Sequence, residues 1–232
     1  MNNNNAFQIV TELNQAAVEQ VVRRVVLEYL SKNTETAAET KKPELVVSVS
    51  ARHIHLSDAD VEILFGPGYQ LTVEKELYQP GFFAAKETLM VVGPRKRMLP
   101  NVRILGPTRK QSQVELAFTD GISLGIPLPV RQSGDLKGTP GCVLVGPKGV
   151  VKLDSGVIRA ERHVHMHPSE AVFYGVKDRD RMNLRVFANS CTTTFENVLV
   201  RLDKGVHLEV HVDTDEGNAC DIDHATKIEL FK

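Results

Sequence analysis

Tryptophan is absent from this 232-residue chain, and aromatic residues make up only 6% of it. That argues against a platform on which nucleic-acid bases stack. Neither charge is in excess: 28 Lys and Arg face 29 Asp and Glu, for a net charge of −1. No global basic field therefore draws nucleic acid or an anionic membrane. No apolar run comes near the roughly 20 residues that a membrane-spanning helix needs. The Asn-rich N-terminus lacks the basic region, apolar run and small-residue cleavage site of a secretory signal. The three cysteines, Cys142, Cys191 and Cys220, are odd in number and widely spaced. They form no disulfide framework and read as reduced thiols of a cytosolic chain.

What is present is a concentration of histidine. Of eight histidines, five lie in two short runs, Arg52-His53-Ile54-His55-Leu56 and Arg162-His163-Val164-His165-Met166-His167. On a strand, alternate side chains share a face, so each run sets its imidazoles in a row. Such rows are poor core material and good ligands for zinc or a similar metal.

The surroundings of the two runs also match. Ser57 predicts a helix N-cap after the first run, with Asp58 and Asp60 in the first turn and an end near Gly66. Pro168 to Ala171 predicts a second short helix ending near Gly175. Asn101-Val102-Arg103-Ile104 resembles Asn197-Val198-Leu199-Val200. Fourteen residues beyond each asparagine stand Glu115 and His211. We read an internal duplication, with candidate metal ligands His53, His55, Glu115, His163, His165 and His211, and His167 in reserve. The residues alone leave open which of these share a metal. The acidic turn 213–218 is either support for the imidazoles or a solvated loop.

Strand-like runs at 45–50, 71–74, 88–92, 102–105, 114–118 and 141–145, punctuated by Gly-Pro turns, predict a mainly β fold. The expectation is two similar β-barrel domains capped by short helices, at 44–155 and 156–232. Residues 1–30 predict an amphipathic helix, with Phe7, Val10, Leu13, Ala17, Val21 and Val25 on its apolar stripe. Residues 31–43 are a polar linker, so the helix is expected to dock on a partner or self-associate. Arg109, six residues before Glu115, suits an anion held beside a metal. The glycine-rich loop 133–141 has no Walker spacing, and neither a Rossmann fingerprint nor a G-x-S-x-G elbow occurs.

Four stretches carry a family resemblance: Arg52 to Ser57, Gln132-Ser133-Gly134 with Lys137 to Gly141, Glu161 to Met166, and His211 to Ala219. Over roughly residues 44–222 the chain resembles the PduL-type phosphate propanoyltransferases, the phosphotransacylases of bacterial microcompartments. The resemblance implies two β-barrels with two Zn2+ or similar divalent ions at their junction, and the reaction acyl-CoA plus phosphate to acyl phosphate plus CoA. It implies one metal held by Glu115, His163 and His165, able to accept the CoA sulfur. The other is held by His53, His55 and His211, with water positions remaining. Arg109 falls on the phosphate-binding arginine, and coenzyme A contacts fall near Ser50, Lys75, Arg103 and Asn218.

The N-terminal helix resembles an encapsulation peptide. That implies a place in the microcompartment lumen within the cytoplasm, contact with other cargo or shell proteins, a homo-oligomer and a role in propanediol degradation. Relatives are expected to carry a small polar residue where His167 stands, and alanine is common where Gly217 stands. Two other readings compete: a metal-dependent (thio)esterase, and a non-catalytic zinc-stabilised interaction protein.

Overall fold

A computed structural model describes residues 18–26, 28, 42–50 and 52–232. Residues 18–26 are helical, and Val18, Val21, Val22, Val25 and Val26 are exposed on them. These valines recur at i, i+3, i+4, i+7 and i+8, which makes one stripe. Most of the expected helix over 1–30 and of the linker over 31–43 lies outside the described residues.

Residues 43–232 form a separate compact unit, mainly β and built from two curled sheets. In chain order its elements are β1 Val46–Ser50, β2 His53–His55, α1 Asp58–Phe65, β3 Val73–Glu76, β4 Phe83–Val92, β5 Met98–Gly106, β6 Gln113–Glu115 and α2 Phe118–Leu124. There follow β7 Val130–Arg131, β8 Cys142–Val145, β9 Val150–Leu153, β10 Val157–Ala160, β11 His163–Met166 and α3 Pro168–Tyr174. The chain closes with β12 Arg181–Ala188, β13 Thr192–Leu202, β14 Glu209–Asp213, α4 Thr214–Ala219, a 3-10 turn at Ile222–His224 and β15 Ala225–Phe231.

The duplication appears as one strand pattern used twice. One sheet contains the order β10-β6-β2-β5-β4, the other β1-β14-β11-β13-β12. Going along each order, the pairings are parallel, antiparallel, parallel, antiparallel. The leading strands are exchanged: β1 precedes β2 in the chain but pairs with β14, and β10 precedes β11 but pairs with β6. Asn101 and Asn197 both take left-handed backbone, with φ of 55° and 61°. Asparagine tolerates that region better than most side chains.

Each sheet covers its own apolar core, one including Ile54, Leu64, Ile104 and Leu144, the other Val164, Met182, Leu184 and Val210. The helices cap these cores by local rules. Ser57 Oγ accepts from the Asp60 amide at the start of α1. His167 Nδ1 accepts from the Ser169 amide at the start of α3, with Glu170 completing a capping box. Left-handed glycines, Gly125 and Gly175, end α2 and α3. The strand expected over 114–118 stops at Glu115 and α2 begins at Phe118. The Asp120 carboxylate draws the chain into that helix by accepting the Ala117 amide at 3.3 Å.

Candidate functional site

Strand register assembles two clusters of ligating side chains. In the β2–β6 pair, His53 lies opposite Glu115 and His55 opposite Gln113. In the β11–β14 pair, His163 lies opposite His211 and His165 opposite Glu209. Residues directly opposite share a sheet face. The donor atoms of His53, His55 and Glu115 lie within 4.8 Å of one another, as do those of His163, His165 and His211. The structure thus brings donor atoms together within each half, where the resemblance implied a grouping crossed between the halves. The reason is register: in each antiparallel pair the third ligand lies directly opposite a histidine of the row.

Buried imidazoles suit a metal only if their ligating nitrogens carry a lone pair, and here they do. Burial, with the nearby charges of His53 and Arg109, lowers the His55 pKa to about 3. Burial and the neighbouring His211 and His165 lower His163 to about 3, and burial with His211 and Arg201 lowers His165 to about 4. These rings are neutral near pH 7. His55 Nδ1 lies 3.2 Å from the Leu105 carbonyl and His163 Nδ1 lies 2.7 Å from the Glu161 carbonyl. A carbonyl only accepts, so Nδ1 carries the proton and Nε2 is left as the ligand atom.

Glu115 is buried, which by itself would raise its pKa. The positive field of His53, a hydrogen bond to it, His55 and the Ser133 hydroxyl hold it well below the usual carboxylate range instead. His53 Nε2 lies 3.5 Å and His55 Nε2 4.0 Å from its two oxygens. In the other cluster the His163 and His211 rings stack with centroids 5.0 Å apart, and His211 Nε2 lies 3.0 Å from Glu209 Oε2. The donor sets, two imidazoles with a carboxylate and three imidazoles, both suit zinc.

Arg109 is half-buried beside the first cluster. Its amide donates to Leu56 O at 2.8 Å, and its guanidinium donates to Ser133 Oγ at 3.0 Å. Ser133 Oγ in turn donates to Glu115 Oε1 at 2.9 Å and accepts from Gln113 Nε2 at 2.9 Å. The loop after β7 thus ties the arginine to the carboxylate. Burial lowers the Arg109 pKa, Glu115 pulls it back up, and Arg201 lowers it further. Arg201, opposite His165 on β13, also acts on His163 and His165. Arg109 and the second cluster therefore share one electrostatic neighbourhood.

Other expected residues are placed variously. His167 is the cap of α3, the role Ser57 plays for α1, and it stands apart from both clusters. Ser50 Oγ lies 3.1 Å from His211 Nδ1. Arg103, opposite His53, pairs with Glu74 at 2.6 Å, next to the exposed Lys75. Asn218 is exposed on α4. The acidic turn is part buried and part open: Asp215 is half-buried and accepts from the Thr119 amide at 3.0 Å. Asp213 and Glu216 are buried, cap α4, and bind Arg159; Glu216 also accepts from Arg162 at 2.7 Å. Sequence reasoning missed Gln113, Ser133 and Glu209. The period-two spacing Gln113-x-Glu115 and Glu209-x-His211 was the available signal.

A model of the phosphate propanoyltransferase family matches residues 46–223. The chain belongs to that family. A phosphate propanoyltransferase of Planctopirus limnophila is 56% identical over 229 residues, covering 97% of this chain and 94% of its own length. One of Thermotoga maritima is 54% identical over 179 residues, or 77% of this chain and 85% of its own. One of Lachnoclostridium phytofermentans is 46% identical over 203 residues, or 88% and 93%. Among the described residues, no helix is long and apolar enough to cross a membrane.

Proposed function

We propose that this member of the phosphate propanoyltransferase family interconverts a short-chain acyl-CoA plus phosphate with acyl phosphate plus CoA at a two-metal centre. The observation that carries the proposal is the pair of three-donor clusters with Arg109 beside them. Propanoyl is taken as the acyl group from the names of the relatives. Two bound divalent ions such as zinc would supply Lewis acidity toward the thioester carbonyl and stabilise the departing thiolate.

The chain's own residues do the rest. Arg109, held by Ser133, orients phosphate for attack on the carbonyl carbon. The new bond is P–O–C, the bond broken is C–S, and the electron pair leaves on the CoA sulfur. No covalent acyl-enzyme is required. Each cluster supplies three ligands, which would leave room at a bound zinc for substrate. The cationic Lys75 and Arg103, with Ser50 and Asn218, are assigned to the CoA moiety.

The division into 1–43, 44–155 and 156–232, a homo-oligomer, and a place in a microcompartment lumen belong to the same proposal. The exposed valine stripe on residues 18–26 supports docking to cargo or shell proteins. A chain starting near Lys42 is expected to keep activity while changing assembly.

The test is CoA release from propanoyl-CoA by the purified chain, with and without phosphate, before and after chelation. Phosphate-dependent release that chelation abolishes and zinc restores is the expected result. Release independent of phosphate would make the protein a hydrolase. Absence of release by folded, metal-loaded protein would leave a structural role for the metals.

A further inference from the structure

The duplication sets one cation apart on the second sheet. Arg201, on β13, lies directly opposite His165 of β11 in a parallel pair. Partners in register share a face, so Arg201 stands on the side of the histidine row. The offset that relates Asn101 to Asn197 puts Leu105 in the same place of the first half. The scaffold therefore holds with a leucine there and does not itself demand a guanidinium.

Nor does the protein supply a partner for that charge. Arg201 is half-buried, and among the described residues its guanidinium makes no hydrogen bond or ion pair. Arg52, Arg103, Arg159, Arg162 and Arg181, by contrast, each bind a carboxylate. Two carboxylates flank Arg201, and both are engaged elsewhere. Asp203 accepts from the Gly205 amide at 2.8 Å. Glu209, on the far side of His165, accepts from Ser48 Oγ and Gln79 Nε2 and lies 3.0 Å from His211 Nε2. Arg201 is also close enough to Arg109 to lower its pKa. Two guanidinium groups that stay charged repel one another, and an anion between them reverses the sign of that interaction. A phosphate dianion has oxygens enough for both forks.

We propose that Arg201 is a second phosphate-binding residue, which holds, together with Arg109, the phosphate that attacks the thioester. The inference rests on the transferase reading above and deepens it. Arg109 comes from the loop after β5 and Arg201 from β13, so one anion is gripped from both halves of the duplication. Two forks fix the rotation of the phosphate as well as its place, which presents one oxygen to the carbonyl carbon.

The experiment uses the zinc-loaded full chain, as wild type and as Arg201→Leu, which copies the first half. It reads the rise in melting temperature with inorganic phosphate, and the KM values for phosphate, propanoyl-CoA and, in the reverse direction, CoA. Arg201→Leu is expected to weaken phosphate about 10- to 150-fold in both readings, the span of hydrogen bonds to a charged group. The KM values for propanoyl-CoA and CoA should move little, and bound zinc should be unchanged. Arg201→Lys is expected to recover part of the loss. Equal phosphate protection of wild type and Arg201→Leu would overturn the proposal, as would no protection of wild type at all. A raised KM for CoA with phosphate binding unchanged would overturn it too and assign Arg201 to the phosphates of CoA. Loss of zinc from Arg201→Leu would overturn it by placing the residue in the metal centre. Wild type that phosphate protects, but that releases CoA without phosphate, would sink the transferase reading, and the melting shifts would still decide the two-arginine site. Should Arg201→Leu not fold, Arg201→Gln is measured in its place, with the same results deciding.

Discussion

Glu115 and His211 occupy the same place in the two halves of the fold, and so do Gln113 and Glu209, Val49 and Arg159, Ala117 and Asp213. The scaffold is repeated, but its chemistry is not. Each half also keeps one shared device: the arginine before the His-x-His pair binds the carboxylate that caps the helix after the third ligand. These pairs are Arg52 with Asp120 at 3.1 Å and Arg162 with Glu216 at 2.7 Å. That device holds the helix end against the ligand strand in both halves. Where the halves differ, the second is the more heavily charged. Arg159 comes from β10 in the first sheet, lies over the Phe118 ring at 4.5 Å, and binds Asp213 and Glu216 of the second. In the first half the equivalent pair is apolar, Val49 and Ala117. The exchanged strand β10 thus carries an ion cluster that β1, with the exposed Val49 in the equivalent place, does not.

The sharpest way to break that contrast is Arg159→Met. It leaves Asp213 with no arginine and Glu216 with Arg162 alone, both buried. Losing one partner of a buried pair costs about 3–5 kcal/mol, which denaturant unfolding would show. The double variant Arg159→Val with Asp213→Ala copies the first half, and it is expected to recover part of the loss. Equal stability of the single variant and wild type would show that the cluster does not hold the halves together.

Next comes the substrate side of the comparison, since Arg109, proposed to bind phosphate, is tied through Ser133 to the first cluster. Arg109→Ala is expected to raise the phosphate KM or lower kcat/KM for phosphate about 10- to 150-fold, from about 1.5–3 kcal/mol for hydrogen bonds to a charged group. The KM for acyl-CoA should move little. Arg109→Lys keeps the charge but not the planar fork, so it should restore only part. A uniform loss toward both substrates would remove the phosphate role.

Much of this contrast was legible in the chain. Period two displayed the histidine rows, and the equal 14-residue offsets from Asn101 and Asn197 found Glu115 and His211. Short helices after each row were legible because Ser57 and Pro168 are local signals. The exchange of β1 and β10 was not, because nothing in a strand's residues names its partner strand. For the same reason the ligand grouping and the Arg159 bridge escaped a linear reading. Glu209 was hidden because a carboxylate on a strand usually faces water; only register shows it facing His165.

The histidines give a pH test of both clusters at once. In chelator-stripped protein, His55, His163 and His165 titrate at about 3, 3 and 4 when folded, against an ordinary 6.5. Between these values the unfolded chain binds more protons, so stability falls as pH drops from about 6.5 toward 3. Each histidine contributes at most about 1.4 kcal/mol per pH unit in that window. Zinc-loaded protein should be the more stable form at neutral pH and lose that advantage as pH falls, because protons compete with zinc for the ligand nitrogens. Melting curves of the two forms that coincide from pH 7 to 5 would show that these imidazoles do not sense the metal.

The smallest effect is expected at His167, where the halves differ in residue but not in role. Its Nδ1 accepts from the Ser169 amide as Ser57 Oγ accepts from Asp60, so the imidazole is doing the work of a hydroxyl. His167→Ser should change stability by less than about 0.5 kcal/mol, whereas His167→Ala should cost about 1 kcal/mol through the lost cap. Neither should alter zinc stoichiometry, because the third histidine of the row turns out of the strand at the helix start. A loss of bound zinc in His167→Ser, with the fold intact, would put His167 among the ligands and make the second centre still less like the first.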